Sequence, residues 1–144
     1  MVYAYLGERR RAADYYMKAF QLREYSSERE RLSIEAAYYS HVTGELEKAA
    51  QVYQQEIESY PREARAYRDL ASVSYQPGLF DKATEIAEQA VRLEPDSVSG
   101  YEIVANLFGD TQRFNDMRRI IQEAQSRKLD ELGLHSDLYA LGRL

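Results

Sequence analysis

A spacing of 34 residues recurs along this chain and constrains its fold more than any other feature. Three similar six-residue blocks are related by it, at 44–49, 78–83 and 112–117. Pro61 and Pro95 are also 34 residues apart, and proline cannot continue a helix. A repeat of this length holds two short helices and a turn, and it cannot bury its apolar face alone. The spacing therefore predicts an all-α fold, an α-solenoid of antiparallel helix pairs.

The segment 64–97 shows the helical pattern most clearly. Apolar and small residues recur there every three or four positions, first at Tyr67, Leu70, Ala71 and Ser74, then at Phe80, Ala83, Ala87 and Ala90. Two antiparallel helices approach most closely where side chains are smallest. We therefore expect Ala83 and Ala90 at the closest contact, and Ala83→Leu to be more damaging than Ala87→Leu. Gly78 is expected to end the turn with a positive φ.

This pattern resembles the tetratricopeptide repeat family. The matching residues are Tyr67, Leu70, Ala71, Gly78, Phe80, Ala83, Ala90 and Pro95. The resemblance implies a superhelix of about 3.5 repeats within a single array over residues 1–144. Its expected parts are a partial repeat at 1–26, repeats at 27–63 and 64–97, a degenerate repeat at 98–131, and a terminal or truncated helix at 132–144.

The edges of these repeats carry further expectations. Gly7 marks a turn, so that the partial repeat is mainly a second helix whose partner is reduced to residues 1–6. Gly7 and Gly44 are 37 residues apart, which predicts a longer or differently angled joint before the next repeat. Within that joint, Ser27 and Glu30 have the spacing of a capping box that starts a helix.

Composition excludes several classes of function. The chain has 24 acidic and 19 basic residues, a formal charge of -5, whereas nucleic-acid binding usually needs a basic surface. It has no cysteine, which excludes disulfides, thiolate metal sites and cysteine nucleophiles. No apolar run approaches the roughly 20 residues of a membrane span, and the first seven residues lack the charged start and long apolar middle of a signal peptide. These features predict a soluble, cytoplasmic chain with no nucleic-acid or membrane partner.

No arrangement of residues indicates catalysis or a cofactor. The sequence contains no glycine-rich phosphate loop, nucleophile elbow or metal-ligand cluster. His41 and His135 are 94 residues apart, and neither has a second ligand at metal-binding spacing. We therefore expect no enzyme activity, no metal and no cofactor.

The first helices of stacked pairs of this kind line one surface, and their residues outside the packing face are the candidate peptide contacts. These predicted groove residues are Arg31, Ile34, Tyr38, His41, Arg65, Arg68, Ser72, Tyr75, Glu102, Asn106 and Asp110. Tyrosine and arginine are frequent in binding hot spots, although every one of these positions could instead be an ordinary solvated one. Arg65 and Arg68 could hold an acidic group, or could pair with Asp69 or Glu63 on the surface.

Some members of the family bind an acidic peptide C-terminus with a clamp of lysines and asparagines. Ile34 and Tyr38 occupy the places of the first lysine and asparagine, so binding of that kind is not expected here.

A narrower resemblance concerns residues 27–32, 43–49, 60–62 and 127–130. They are similar to repeat regions found C-terminal to bacterial serine/threonine protein kinases and in some transcriptional regulators. This implies an interaction module, within a larger bacterial signalling protein, that binds a peptide or partner helix in the groove. Two alternatives remain. The chain could be a spacer or self-association segment, with a homodimer formed by apolar ends near Tyr3 and Leu141, or the regulatory array of a kinase whose catalytic domain is absent.

Overall fold

The computed structural model describes the backbone of residues 2–129 and the side chains of residues 5–129. All regular structure in this range is helical, which confirms the predicted all-α helical repeat. The chain divides into two compact units, Met1–Pro61 and Arg62–Leu144. Of the helices described, none combines the length and the apolar character needed to cross a membrane. The helix predicted at 132–144 lies outside the described residues.

The first unit contains three α-helices. They are α1 (Val2–Gln21), α2 (Glu28–Tyr38) and α3 (Leu46–Ser59). α1 packs on α2, and α2 packs on α3. The predicted capping box at the start of α2 is confirmed, because the Glu30 N–H donates to the Ser27 hydroxyl at 3.3 Å and the Ser27 N–H donates to the Glu30 carboxylate at 3.2 Å.

The expected turn at Gly7 is wrong, because α1 runs without a break from Val2 to Gln21. Among the described residues, no atom outside its own helix lies within 4 Å of the position that a Cβ atom at Gly7 would take. A turn there would sacrifice helical hydrogen bonds without gaining any packing contact. The flanking alanines, arginines and glutamate are all strong helix formers, so the helix continues.

The joint between α1 and α2 is longer than the later joints between repeats, as the 37-residue spacing indicated: six residues separate these two helices, against four between α3 and α4 and four between α5 and α6. The first helix of this repeat is also extended. After Tyr38 the chain continues as a π-helical segment, Tyr39–Thr43, and then turns at Gly44, whose φ is +70°. A π-helical segment accommodates extra residues inside a helix by widening one turn. The extra length of this repeat is thus partly absorbed within its first helix.

The second unit, as far as residue 129, contains four helices. They are α4 (Ala64–Val73), α5 (Phe80–Leu93), α6 (Val98–Asp110) and α7 (Phe114–Ser126). Each packs on the next, and α4 also contacts α6. The 34-residue period reappears in the helix starts, because α3, α5 and α7 begin at positions 46, 80 and 114, and α4 and α6 at positions 64 and 98.

α4 ends at Val73, several residues before the turn that Gly78 was expected to end. A proline ring clashes with the carbonyl four residues before it, and Val73 is four residues before Pro77. Gly78 then turns the chain with a φ of +89°, in agreement with the expectation.

Two residues other than glycine adopt the left-handed conformation at helix ends. Gln112, which stands in place of the turn glycine, has a φ of +58°, and Lys128 has a φ of +59°. After α6 the Arg113 N–H donates to the Phe108 carbonyl at 2.8 Å, and the Gln112 N–H donates to the Gly109 carbonyl at 3.0 Å. This is the Schellman pattern. It recurs after α7, so the degenerate repeat keeps its turn geometry without glycine.

The core of the second unit combines alanines with larger apolar side chains. Its buried members are Ala71, Ala83, Ala87, Val91, Tyr101, Val104, Ala105, Leu107, Phe108, Met117, Ile120, Ile121 and Ala124. Ala83 and Ala87 are both fully buried, which does not support the milder effect expected for Ala87→Leu. Because both alanines belong to the same core cluster as α6 residues, we expect leucine to overpack either position.

We therefore predict that Ala83→Leu and Ala87→Leu each lower the free energy of unfolding by about 1–3 kcal/mol, the usual cost of overpacking. Chemical denaturation followed by circular dichroism measures both. Glu85→Leu is the matched control, because Glu85 is exposed on the same helix and its replacement should change stability by less than about 0.5 kcal/mol. A clearly milder effect at Ala87 would contradict this packing.

We also predict that Gln112→Gly raises the free energy of unfolding by about 0.5–1 kcal/mol, because the left-handed conformation costs a residue with a side chain more than it costs glycine. Thermal and urea unfolding test this. In Gln122→Gly the same change is made at an exposed position inside α7 and should instead destabilise by about 1 kcal/mol. Destabilisation by both variants would argue against strain at Gln112.

Candidate functional site

A cavity of about 440 Å³ lies where the C-terminal ends of α4 and α6 meet. Its lining residues are Ser72, Tyr75, Ile103, Asn106 and Asp110. Four of them belong to the predicted groove residues, and Ile103 is an addition. We call this space the α4–α6 cavity.

Few of the polar side-chain groups in this cavity form hydrogen bonds to other described groups of the protein. The Ser72 hydroxyl donates to the Arg68 carbonyl within α4, at 3.0 Å. Within residues 5–129, the side chains of Asn106 and Asp110 and the Tyr75 hydroxyl form no hydrogen bond or ion pair. Three hydrogen-bonding groups of different kinds are therefore available to a ligand in one small volume.

Tyr75 lies in the turn after α4, and another aromatic side chain packs against one side of its ring. Its ring meets the ring of Phe80 nearly edge to face, with centroids 5.3 Å apart and an angle of 67° between the planes. The residue is still 43% exposed. An aromatic ring that is already oriented loses little conformational entropy when a partner packs on it, which is typical of binding hot spots.

α6 is held in place below the cavity by Tyr101, whose hydroxyl donates to the Glu123 carboxylate of α7 at 3.3 Å. Burial raises the pKa of the Tyr101 hydroxyl, and the negative charge of Glu123 raises it further. The hydroxyl therefore remains a protonated donor over the physiological pH range, and α6 stays linked to α7.

The two arginines of α4 are already paired with carboxylates. Arg65 contacts Asp69 at 2.8 Å, one of the two surface partners that the sequence suggested. Arg68 forms a close ion pair with Glu94 and also contacts the Ser97 hydroxyl at 3.4 Å. Glu94 is 26 residues away in sequence, so this pairing has no local sequence signal.

These arginines line a second cavity, of about 280 Å³. Its lining is Arg62, Glu63, Ala64, Arg65, Arg68, Leu93 and Glu94. The positive charges of Arg65 and Arg68 are offset there by their carboxylate partners. An incoming acidic group would have to displace those partners, which weakens this cavity as an anion site.

The predicted groove residues of the first unit line neither of these two cavities. The Tyr38 ring stacks on Phe20 of α1, with centroids 3.9 Å apart and planes 15° apart. The His41 ring stacks on Tyr16, at 4.9 Å and 12°. α1 thus occupies the side of α2 that the sequence assigned to a ligand.

The remaining candidates have plainer environments. Arg31 and Ile34 on α2 and Glu102 on α6 are half-buried, and none of them lines the α4–α6 cavity. His135 lies outside the described residues.

Sequence reasoning missed Ile103 and the aromatic residues of α1. A signal for Ile103 was present, because it precedes Asn106 by three positions and Asp110 by seven, which places all three on one helix face. No comparable signal existed for Phe20 and Tyr16, since the repeat pattern gives the positions of helices but not which rings stack between them.

A solved structure of a TPR-type protein, the MamA RS-1 ArsTM double mutant, has a similar fold. The TM-score is 0.58, at 19% sequence identity, and the alignment covers 97% of this chain and 69% of that one. At this identity the similarity shows the fold alone. It supports an all-α helical-repeat fold of this type.

The sequence comparisons add no family. No family model matches the chain, and no curated protein sequence matches it.

Proposed function

We propose that the chain is a non-enzymatic protein-interaction module that binds a peptide or a partner's helix at the α4–α6 cavity. One observation is the main support for this proposal. Tyr75, Asn106 and Asp110 line one cavity, and the Tyr75 hydroxyl and the other two side chains form no hydrogen bond or ion pair within the described part of the chain. The TPR-like fold supports a protein as the partner.

The lining suits a polypeptide. The amide of Asn106 contains both a donor and an acceptor, which is the combination that a peptide unit presents. The exposed Tyr75 ring and the half-buried Ile103 provide apolar surface for a side chain. Binding energy would come from this apolar surface, and orientation from the hydrogen bonds.

The proposal extends to the setting of the module. We place it in a larger bacterial signalling protein in the cytoplasm, as an adaptor segment or as the regulatory array of a kinase. The support is the resemblance of residues 27–32, 43–49, 60–62 and 127–130 to repeat regions that follow bacterial serine/threonine kinases.

We predict that Tyr75→Ala and Asn106→Ala each weaken the binding of peptides selected from a random display library on the wild-type chain. The expected loss is about tenfold or more for Tyr75→Ala, since removal of a hot-spot side chain costs at least about 1–2 kcal/mol. Fluorescence anisotropy with the selected peptides measures the affinities.

Gln89→Ala is the control, because Gln89 is half-buried on α5 and does not line the cavity. Circular dichroism checks that all three variants keep their helical content. If selected peptides bind both cavity variants as tightly as the control, the α4–α6 cavity is not the binding site.

A second candidate function, self-association, is favoured by α1. Its second half packs on α2 through Phe20, and on the π-helical segment after α2 through Tyr16. Tyr5 and Leu6 continue the same side of the helix about three to four turns earlier, yet they are 61% and 53% exposed. The apolar side of α1 thus extends beyond its cover, and we propose that a second copy of the chain packs on it.

We predict that the wild-type chain dimerises at high concentration and that Tyr5→Ser combined with Leu6→Ser abolishes the dimer. Sedimentation equilibrium between micromolar and millimolar concentrations measures the association. Tyr15→Ser is the matched control, because Tyr15 is 70% exposed on a different side of α1. A wild-type chain that remains monomeric throughout, or a control that loses the dimer equally, contradicts this surface.

A further inference from the structure

We infer that the α4–α6 cavity selects a cationic side chain of the bound polypeptide, and that it binds arginine more tightly than lysine. This inference rests on the proposed function and gives it a specificity. The sequence suggested a ligand of the opposite charge, because Arg65 and Arg68 could hold an acidic group. Both arginines are, however, paired with carboxylates within the protein.

The charge of the lining is the first reason. Asp110 is the one charged residue that the structure places in the lining, and it is exposed. Arg113, which follows it closely in sequence, is turned to other partners: its guanidinium contacts Asp116 at 2.9 Å and lies over the Phe108 ring at 4.6 Å. Among the described residues Asp110 forms no ion pair.

The helix termini are the second reason, and they act independently of any side chain. α4 ends at Val73, beside Ser72 and Tyr75, and α6 ends at Asp110 itself. The C-terminal end of a helix has a partial negative charge from its last carbonyl groups. The cavity lies at two such ends, so both helices favour a positive charge in it.

The shape and chemistry of the remaining lining favour a long cation. The Tyr75 ring is an electron-rich surface for a cation, and such contacts are more frequent with arginine than with lysine. Ile103 provides an apolar wall for the methylene groups of the side chain. A small inorganic cation would leave these two surfaces unused.

Hydrogen-bond counting separates arginine from lysine. The guanidinium has five donors in a planar fork and can bind the two oxygens of a carboxylate side by side. One edge can therefore bind Asp110 while another donor reaches the Asn106 carbonyl oxygen. Lysine has three donors around one nitrogen and cannot form the parallel pair.

The test uses the whole 144-residue chain and two small probes, Nα-acetyl-arginine methylamide and its neutral isostere Nα-acetyl-citrulline methylamide. Titrations are followed by NMR at millimolar concentrations. We expect the arginine probe to bind about three- to tenfold more tightly than the citrulline probe, the range for a partly exposed charged hydrogen bond. The difference should shrink as salt concentration rises.

Variants assign this preference to the cavity. Asp110→Asn should remove it, so that both probes bind equally weakly, and Asp110→Glu should restore part of it. Glu85→Gln removes the same charge from an exposed position on α5 and should leave the preference intact. Circular dichroism checks the fold of each variant.

Equal binding of the two probes by the wild-type chain overturns the inference, as does an arginine preference that survives in Asp110→Asn. Absence of binding by either probe at millimolar concentrations also overturns it. These outcomes are separable from a failure of the proposed function, because peptides selected without regard to charge would still bind and would still respond to Tyr75→Ala.

Discussion

Alanine at the helix contacts of the second unit determines how its other features are arranged. Ala83 and Ala87 are fully buried, and their small side chains let α5 come close to its neighbours. The larger Tyr101 and Phe108 side chains belong to the same core and fill the space beside these contacts. Close packing of this kind transmits any change of volume, since protein interiors contain few voids. The separation of α4 and α6, and with it the cavity between their ends, depends on these small side chains.

The ends of the helices matter as much as their packing, because the lining residues of the cavity lie there. α4 stops at Val73 because of Pro77, which leaves Tyr75 in a turn where its ring meets Phe80. α6 stops at Asp110, followed by the left-handed residue Gln112. Had α4 continued for one more turn, Tyr75 would project elsewhere. The positions that interrupt the helices therefore also build the site.

Most of the fold follows from the 34-residue spacing, because the same residue types at the same intervals end helices in the same way. The expected turn at Gly7 failed because a glycine alone does not end a helix that has no proline and no packing partner at that point. The burial of Ala87 was not expected, because a repeat considered by itself does not include the neighbouring helix that covers it. Four of the five cavity residues were among the predicted groove residues, since helical periodicity places them on one face. The partner of Arg68 was not predictable, because Glu94 is distant in sequence.

The internal ion pairs determine which charge remains available at the cavity. Arg65 and Arg68 are paired with Asp69 and Glu94, so the basic groups of α4 contribute little net charge to a ligand nearby. Asp110 has no such partner in the described part of the chain and lies at a helix end that is itself negative. An ion pair within the protein persists when its replacement by a ligand gains no free energy. The charge that the site prefers in a ligand is therefore set by the unpaired group, Asp110. A sequence count of arginines on the first helices points to an anionic ligand, whereas the pairing of those arginines points to a cationic one.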